Sequence, residues 1–228
     1  MHLGRAALTL TLVGLGGLAA GYLSYRLLQP RAPLRPALAV APAPQTPAEE
    51  PALRPIPTDV PDMTLPDPQG QHHALHEYFG HPLIVNFWAT WCPPCRREMP
   101  LLGRLRRQYH ANGLEIVGVA VDFGPAVRAF LHTTTVPYPV LIAEQDGLSS
   151  IGQFGMEPVL PFSVFADSRG RIVAVKVGEL YREEARDILT AVLAVDAGKL
   201  ELAAAREQLR ARLVALAAER AKSQQNNP

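Results

Sequence analysis

The sequence predicts an α/β domain with a mixed central sheet flanked by helices, an apolar segment before it and an extra helix after it. Three observations support this. From about residue 59, short apolar runs rich in β-formers alternate with stretches of helical spacing. That series ends in a hairpin and a helix, so parallel and antiparallel strands must share one sheet. A proline-rich tract separates the series from an uncharged run near the N-terminus.

The elements follow in order. Ala6 to Tyr25 is a run of twenty residues without a charge, long enough to cross a bilayer as a helix. A cleaved signal peptide is the alternative, but its small-residue site, Ala37-Leu38-Ala39, lies far downstream. The reading adopted is an uncleaved membrane anchor over residues 1–28. Residues 29–58 form a Pro/Ala-rich linker, with nine prolines between Gln29 and Pro57. Such a tract is extended at about 3.1 Å per residue and would reach at most roughly 90 Å. The net charge of +1 gives no sign of nucleic-acid binding.

Residues 59–197 carry the domain. Val60 to Asp67 and Gln71 to Leu75 read as two short strands around a Gly70 turn, with one helical turn over His76 to Phe79. Leu83 to Ala89 is a buried strand, and a helix runs from about 93 to 111, stopped by Gly113. A second buried strand covers Leu114 to Asp122, followed by a helix over Pro125 to His132. Pro139 to Ala143 is a short strand and Gly147 to Phe154 a short helix. Phe162 to Ala166 and Arg171 to Val177 form a hairpin across Asp167-Ser168-Arg169-Gly170, and Glu183 to Ala197 is a helix. Residues 198–228 add an amphipathic helix over Lys199 to Lys222, striped by Leu202, Ala205, Leu209, Leu213 and Leu216, then a tail expected to be disordered from Ser223. The stripe fits either a partner-binding helix or one lying on its own domain.

The chemistry centres on Trp91-Cys92-Pro93-Pro94-Cys95, which holds the only two cysteines in the 228 residues. A Cys-x-x-Cys pair serves either redox chemistry or half of a zinc site. Zinc needs about four ligands, usually from a second Cys or His pair. No second cysteine exists, and none of the seven histidines makes a plausible knuckle, so no metal is expected. The pair falls at a strand-to-helix junction, where Pro93 and Pro94 suit the first helical turn. Cys92 stands at the helix N-terminus, where free amides and the macrodipole favour a thiolate. It is expected to be the exposed attacking thiol, with Cys95 one turn deeper as the resolving thiol.

The stretch Val85-Asn86-Phe87-Trp88-Ala89-Thr90-Trp91-Cys92-Pro93-Pro94-Cys95-Arg96-Arg97-Glu98-Met99-Pro100 resembles the membrane-anchored thioredoxin-like proteins of bacteria, the TlpA-like family that includes thioredoxins of cytochrome c maturation. The resemblance covers about residues 59–197 and is most specific over 83–100. It implies a thioredoxin fold and a thiol:disulfide oxidoreductase that needs no cofactor. It implies protein thiol or disulfide substrates and a membrane electron donor of the disulfide-reductase type. It also implies a cis bond at Leu160-Pro161 opposite the cysteines, with Leu160 offering backbone groups to substrate and Trp91 flanking the site. In such proteins the acid at the position of Glu98 helps manage active-site protons. A carboxylate near two thiols can accept the Cys95 proton and resists further charge on sulfur; an ordinary first-turn glutamate favoured by the helix dipole is the alternative. Asp122, at a strand end, reads as a turn residue or a proton relay.

The resemblance further implies a single-pass protein of the bacterial inner membrane, with its domain in the periplasm. Arg5 before the span and Arg26, Arg31 and Arg35 after it argue for the opposite orientation; the family placement is preferred. Direction is expected to be that of a reductase, with cytochrome c or copper-site assembly as candidate pathways. Two alternatives stand. A thiol peroxidase would want Thr three residues before its reactive cysteine, where Ala89 stands. A non-catalytic adaptor would dock a partner through the C-terminal helix, and an intact Cys-Pro-Pro-Cys argues against it.

Overall fold

The structure, a computed structural model, describes residues 57–144, 151–155 and 159–225. The expected anchor, nearly all of the linker and the first half of the expected 147–154 helix lie outside these residues. Among the described residues no helix is long and apolar enough to cross a membrane.

Thr64–Pro66 (β1) and His72–Ala74 (β2) pair antiparallel across the Gly70 turn, and a 3₁₀ turn follows over Leu75–Tyr78. Leu83–Trp88 (β3), all six residues buried, leads into the helix Pro93–Gln108 (α1). Glu115–Ala120 (β4) precedes the helix Gly124–Thr133 (α2) and Val140–Ile142 (β5). Residues 151–153 are helical. Phe162–Ala166 (β6) and Ile172–Val177 (β7) form the hairpin; Arg182–Asp196 (α3) and Leu202–Gln225 (α4) end the chain.

The main sheet has the order β5-β4-β3-β6-β7. β3 runs parallel to β4 and antiparallel to β6, and β7 returns antiparallel to β6. The expected thioredoxin order is therefore present. β3 is central and buried on both faces, which explains why its sequence reads as a continuous apolar run rather than an alternation. One face carries Val85, Phe87, Val119 and Phe162 under Met63, Leu65 of β1, Leu75, Ile151 and Phe154; Phe87 stacks on Phe162 with centroids 4.5 Å apart. The other carries Ile84, Ile116 and Phe165 under Leu102 and Leu105 of α1 and Ile188, Leu189 and Val192 of α3. Gly118 sits where backbone and side chains come close: a Cβ there would lie 2.9 Å from Trp88 Nε1 and 3.0 Å from Tyr138 Cε2.

The tail differs from expectation at one boundary. Ser223 to Gln225 continue α4, with the Ser223 hydroxyl donating to the Glu219 carbonyl and no glycine or proline to stop the helix. The α4 stripe meets its own domain: Ala205 and Leu209 are buried in one cluster with α3 and the sheet, and Leu202 and Leu213 pack against it. Arg206 ties α4 to β7 by donating to the Ile172 carbonyl, at 2.9 Å from Nε. The Leu202, Ala205 and Leu209 part of the stripe is thus packed within the chain, while Leu213 is half-buried and Val214 exposed.

Candidate active site

β3 ends at Trp88 and passes through Ala89-Thr90-Trp91 into α1. Asp122, just past β4, holds this turn: its Oδ2 accepts the Thr90 amide at 3.1 Å and the Thr90 hydroxyl at 2.5 Å, while Oδ1 accepts the Phe123 amide at 2.8 Å. Parallel pairing of β3 with β4 brings the two loop starts side by side, so Asp122 braces the turn that carries the motif. Cys92 caps α1 with extended backbone, and its Sγ accepts the Cys95 amide at 3.3 Å. Pro93 and Pro94 occupy the first helical turn, where their missing donors cost nothing.

Cys92 and Cys95 are joined in a disulfide. In this form Cys92 is 3% exposed and Cys95 wholly buried. The expectation of an exposed Cys92 is therefore corrected for the disulfide state. Its amide folds back onto the Ala89 carbonyl at 3.2 Å, and both cysteines belong to a cluster with Trp88, Ala89 and Met99 against which Leu160 packs. Trp91 projects outward at 67% exposure, while Trp88 is fully buried.

The Leu160-Pro161 bond is cis. The β3–β6 register pairs Phe87 with Phe162, which sets Pro161 beside the end of β3, at the edge of the sheet from which the motif emerges. The Pro161 carbonyl accepts the Gly178 amide at 2.8 Å, tying this segment to the loop after β7.

Glu98 lies one turn beyond Cys95 and is 1% exposed, more deeply buried than a first-turn helix glutamate would be. Its Oε1 accepts from Asn86 Nδ2 at 2.7 Å and its Oε2 from the Leu180 amide at 2.7 Å. Asn86 also donates to Ser163 Oγ on β6 at 2.9 Å. Burial pushes the Glu98 carboxyl up to about 7; the Leu180 amide, Asn86 and Lys176 pull against that rise, and Glu179 adds to it. Tyr138, also buried, faces the same carboxyl, and burial raises its hydroxyl too. At neutral pH Glu98 can thus give or take a proton, which matches the needs of a dithiol couple.

The structure brings five of the six predicted site residues, Cys92, Cys95, Glu98, Leu160 and Pro161, to one end of the sheet, with Trp91 on its rim. It adds Asn86, Lys176 and the Leu180 amide as supports, and gives Asp122 the turn role. Asn86 had a legible signal, being the one polar residue inside an apolar strand. Lys176 and Leu180 are far from the motif in sequence and had none.

The family model described as AhpC/TSA matches residues 56–175. The chain is 32% identical over 133 residues to thiol-disulfide oxidoreductase ResA of Geobacillus thermodenitrificans, covering 58% of this chain and 75% of that protein. It is 33% identical over 127 residues to the protein of the same name from Bacillus thuringiensis, covering 55% and 72%. A thiol:disulfide interchange protein of the thioredoxin family from Chlorobium tepidum superposes with a TM-score of 0.53 at 29% identity, over 60% of this chain and 97% of that one. Fold, paired cysteines and relatives agree on thiol:disulfide oxidoreductase activity. The chain belongs to the AhpC/TSA family and, within it, to the TlpA-like thiol:disulfide oxidoreductases.

Proposed function

We propose that this protein is a membrane-tethered reductase of protein disulfides, anchored by residues 1–28 and working on the periplasmic side through a linker over residues 29–58. In the reduced enzyme the Cys92 thiolate attacks one sulfur of a substrate disulfide and displaces the other as a thiolate. Cys95 then attacks Cys92, regenerating the enzyme disulfide and releasing a dithiol substrate. Two electrons pass from enzyme to substrate, and a membrane dithiol donor restores the enzyme by the same exchange in reverse. Glu98 accepts the Cys95 proton as that thiol becomes the nucleophile. Leu160 and Trp91 border the surface that receives the substrate segment. Assembly of cytochrome c or of copper sites is the pathway class this reading favours, on the strength of the family.

The observation that carries the reading is a buried carboxyl near neutrality one helical turn behind a Cys-Pro-Pro-Cys disulfide. Equilibration in glutathione buffers should place the couple nearer about −270 mV than about −120 mV; a value above about −170 mV would make the protein an oxidant instead. A Cys95→Ala variant should accumulate mixed disulfides through Cys92, whose partners identify the substrates and their compartment.

A further inference from the structure

We propose that Arg220, near the end of the C-terminal helix, is a positioning residue for the Glu98 carboxyl, acting through Glu184, Tyr181 and the Leu180 amide. The proposal rests on the reading of Glu98 as the proton-exchanging group of the site. It concerns the helix beyond Gly198, which lies outside the region of family resemblance.

The contacts form one continuous path. Arg220 Nη2 donates to Glu184 Oε1 at 2.8 Å, and the guanidinium lies 3.8 Å above the Tyr181 ring. Glu184 is 2% exposed, and its other oxygen accepts the Tyr181 amide at 3.0 Å. Tyr181 is the residue after Leu180, whose amide holds Glu98 at 2.7 Å. Arg220 therefore grips Tyr181 and the carboxylate that accepts the Tyr181 N–H, and so fixes the Leu180–Tyr181 peptide, the immediate neighbour of the Glu179–Leu180 peptide whose N–H holds Glu98. It does so with a planar fork and a stacking face that lysine lacks.

The loop 178–181 has other anchors: the Gly178 amide on the Pro161 carbonyl, Lys176 Nζ donating to the Gly178 carbonyl at 3.5 Å, the buried Leu180 side chain, and Arg97 with Glu179, Nη2 to Oε2 at 2.6 Å. Arg97 is 60% exposed and Glu179 18%, and the guanidinium makes three contacts with the carboxylate, so this pair holds the loop from the Glu179 side, partly screened by solvent. Arg220 and Glu184 hold the chain on the C-terminal side of Leu180 and lie outside the redox site.

A second consequence runs the same way. Lys176 on β7 stands 3.7 Å from Glu184 Oε2 and also acts on Glu98. With Arg220 gone, Lys176 is the remaining cation paired with Glu184 among the described residues, and Glu184 draws it away from Glu98. The groups facing Glu98 are Asn86 on β3, with Ser163 of β6 behind it, Lys176 on β7, Glu179 and the Leu180 amide in the loop, and Tyr138 before β5. On its own helix Cys92 and Cys95 are bonded and do not titrate. Loosening the Leu180 amide and losing Lys176 both disfavour the carboxylate, so both raise the Glu98 midpoint.

The test is a ¹³C NMR titration of the Glu98 side-chain carboxyl in the full chain, kept in the disulfide form and assigned by loss of its signal in Glu98→Gln. Wild type should titrate at about 7. Arg220→Ala should move the midpoint up by about half a unit or more, and speed hydrogen exchange of the Leu180 amide. Arg220→Lys, which keeps the charge without the fork, should fall between, and it carries the test if the alanine variant does not fold. A folded Arg220→Ala protein whose Glu98 midpoint stays within about 0.2 unit of wild type overturns the proposal. A wild-type midpoint in the ordinary carboxyl range removes Glu98 from the mechanism, and the proposal with it; wild type alone reveals that case.

Discussion

Glu98 and Glu184 are both buried glutamates that accept a backbone amide from the 178–181 loop, at 1% and 2% exposure, yet they do different work. Glu184 is met by two cations, Arg220 at 2.8 Å and Lys176 at 3.7 Å, and completes the N-terminal cap of α3. Glu98 is hydrogen-bonded only by neutral donors, the Asn86 amide and the Leu180 N–H. A carboxylate with charged partners is a joint of the structure. One with neutral partners keeps its proton within reach of physiological pH. Depth of burial does not separate these two acids; the charge of their hydrogen-bond donors does.

The sharpest break of that comparison is removal of Glu184. Glu184→Ala leaves Lys176 and Arg220 half-buried without a counter-charge and uncaps α3, which should cost about 3 kcal/mol. Urea unfolding of the disulfide form measures it. A loss under about 1 kcal/mol would show that solvent screens this cluster and that the contrast with Glu98 is overdrawn.

Glu98→Gln should act in the opposite manner, through pH. The Glu98 carboxyl titrates near 4.5 when unfolded and at about 7 when folded. Below the lower value both states hold the proton, and folding has the full benefit of a neutral buried group. Between the two values the folded state keeps a proton that the unfolded chain has released, so stability falls as pH rises towards 7 and levels off above it. The drop is about 3 kcal/mol across that window, from about 1.4 kcal/mol per unit. The glutamine variant lacks this term. Its stability relative to wild type should therefore improve with rising pH, read from paired unfolding curves at pH 5 and 8. Parallel curves would mean that Glu98 holds no unusual proton.

The difference between the two glutamates also marks how far the sequence could be read. The motif, the strand before it and the helix after it are local, and β3, α1, Cys92, Cys95 and Pro161 were all accessible from spacing and resemblance. Glu98 was accessible as a position, but not as the partner of Asn86 and Leu180, because those contacts span 12 and 82 residues of chain. The role of the 198–228 segment was open for the same reason. Its stripe showed that it buries one face, and only the fold shows that part of that face is covered by α3 and β7. Asp122 read as a turn residue or a relay; its hydrogen bonds to Thr90 show it bracing the turn before Cys92. In the disulfide form Cys92 lies in a cluster against which Leu160 packs from a segment 68 positions later, a neighbour that position at a helix start does not reveal.

The smallest effect is expected at the rim, where two tryptophans of one short stretch divide as the two glutamates do. Trp88 is fully buried against Phe130, with ring centroids 5.3 Å apart, whereas Trp91 is 67% exposed beside the disulfide. Removing an exposed ring leaves the core intact, so Trp91→Ala should change folding stability by under about 0.5 kcal/mol. The same ring offers a rigid apolar face with little entropy to lose, the type of side chain that anchors a bound segment. If it receives the substrate, its loss should weaken binding by about 1 kcal/mol, a roughly fivefold rise in KM for a protein disulfide such as insulin. The rate constant of the bound complex should hardly move, since Trp91 supplies neither sulfur nor proton. A fall in kcat with KM unchanged would place Trp91 with Glu98 in the exchange chemistry instead of on the docking surface. An unchanged KM and kcat would leave Leu160 and the Pro161 segment to receive the substrate without it.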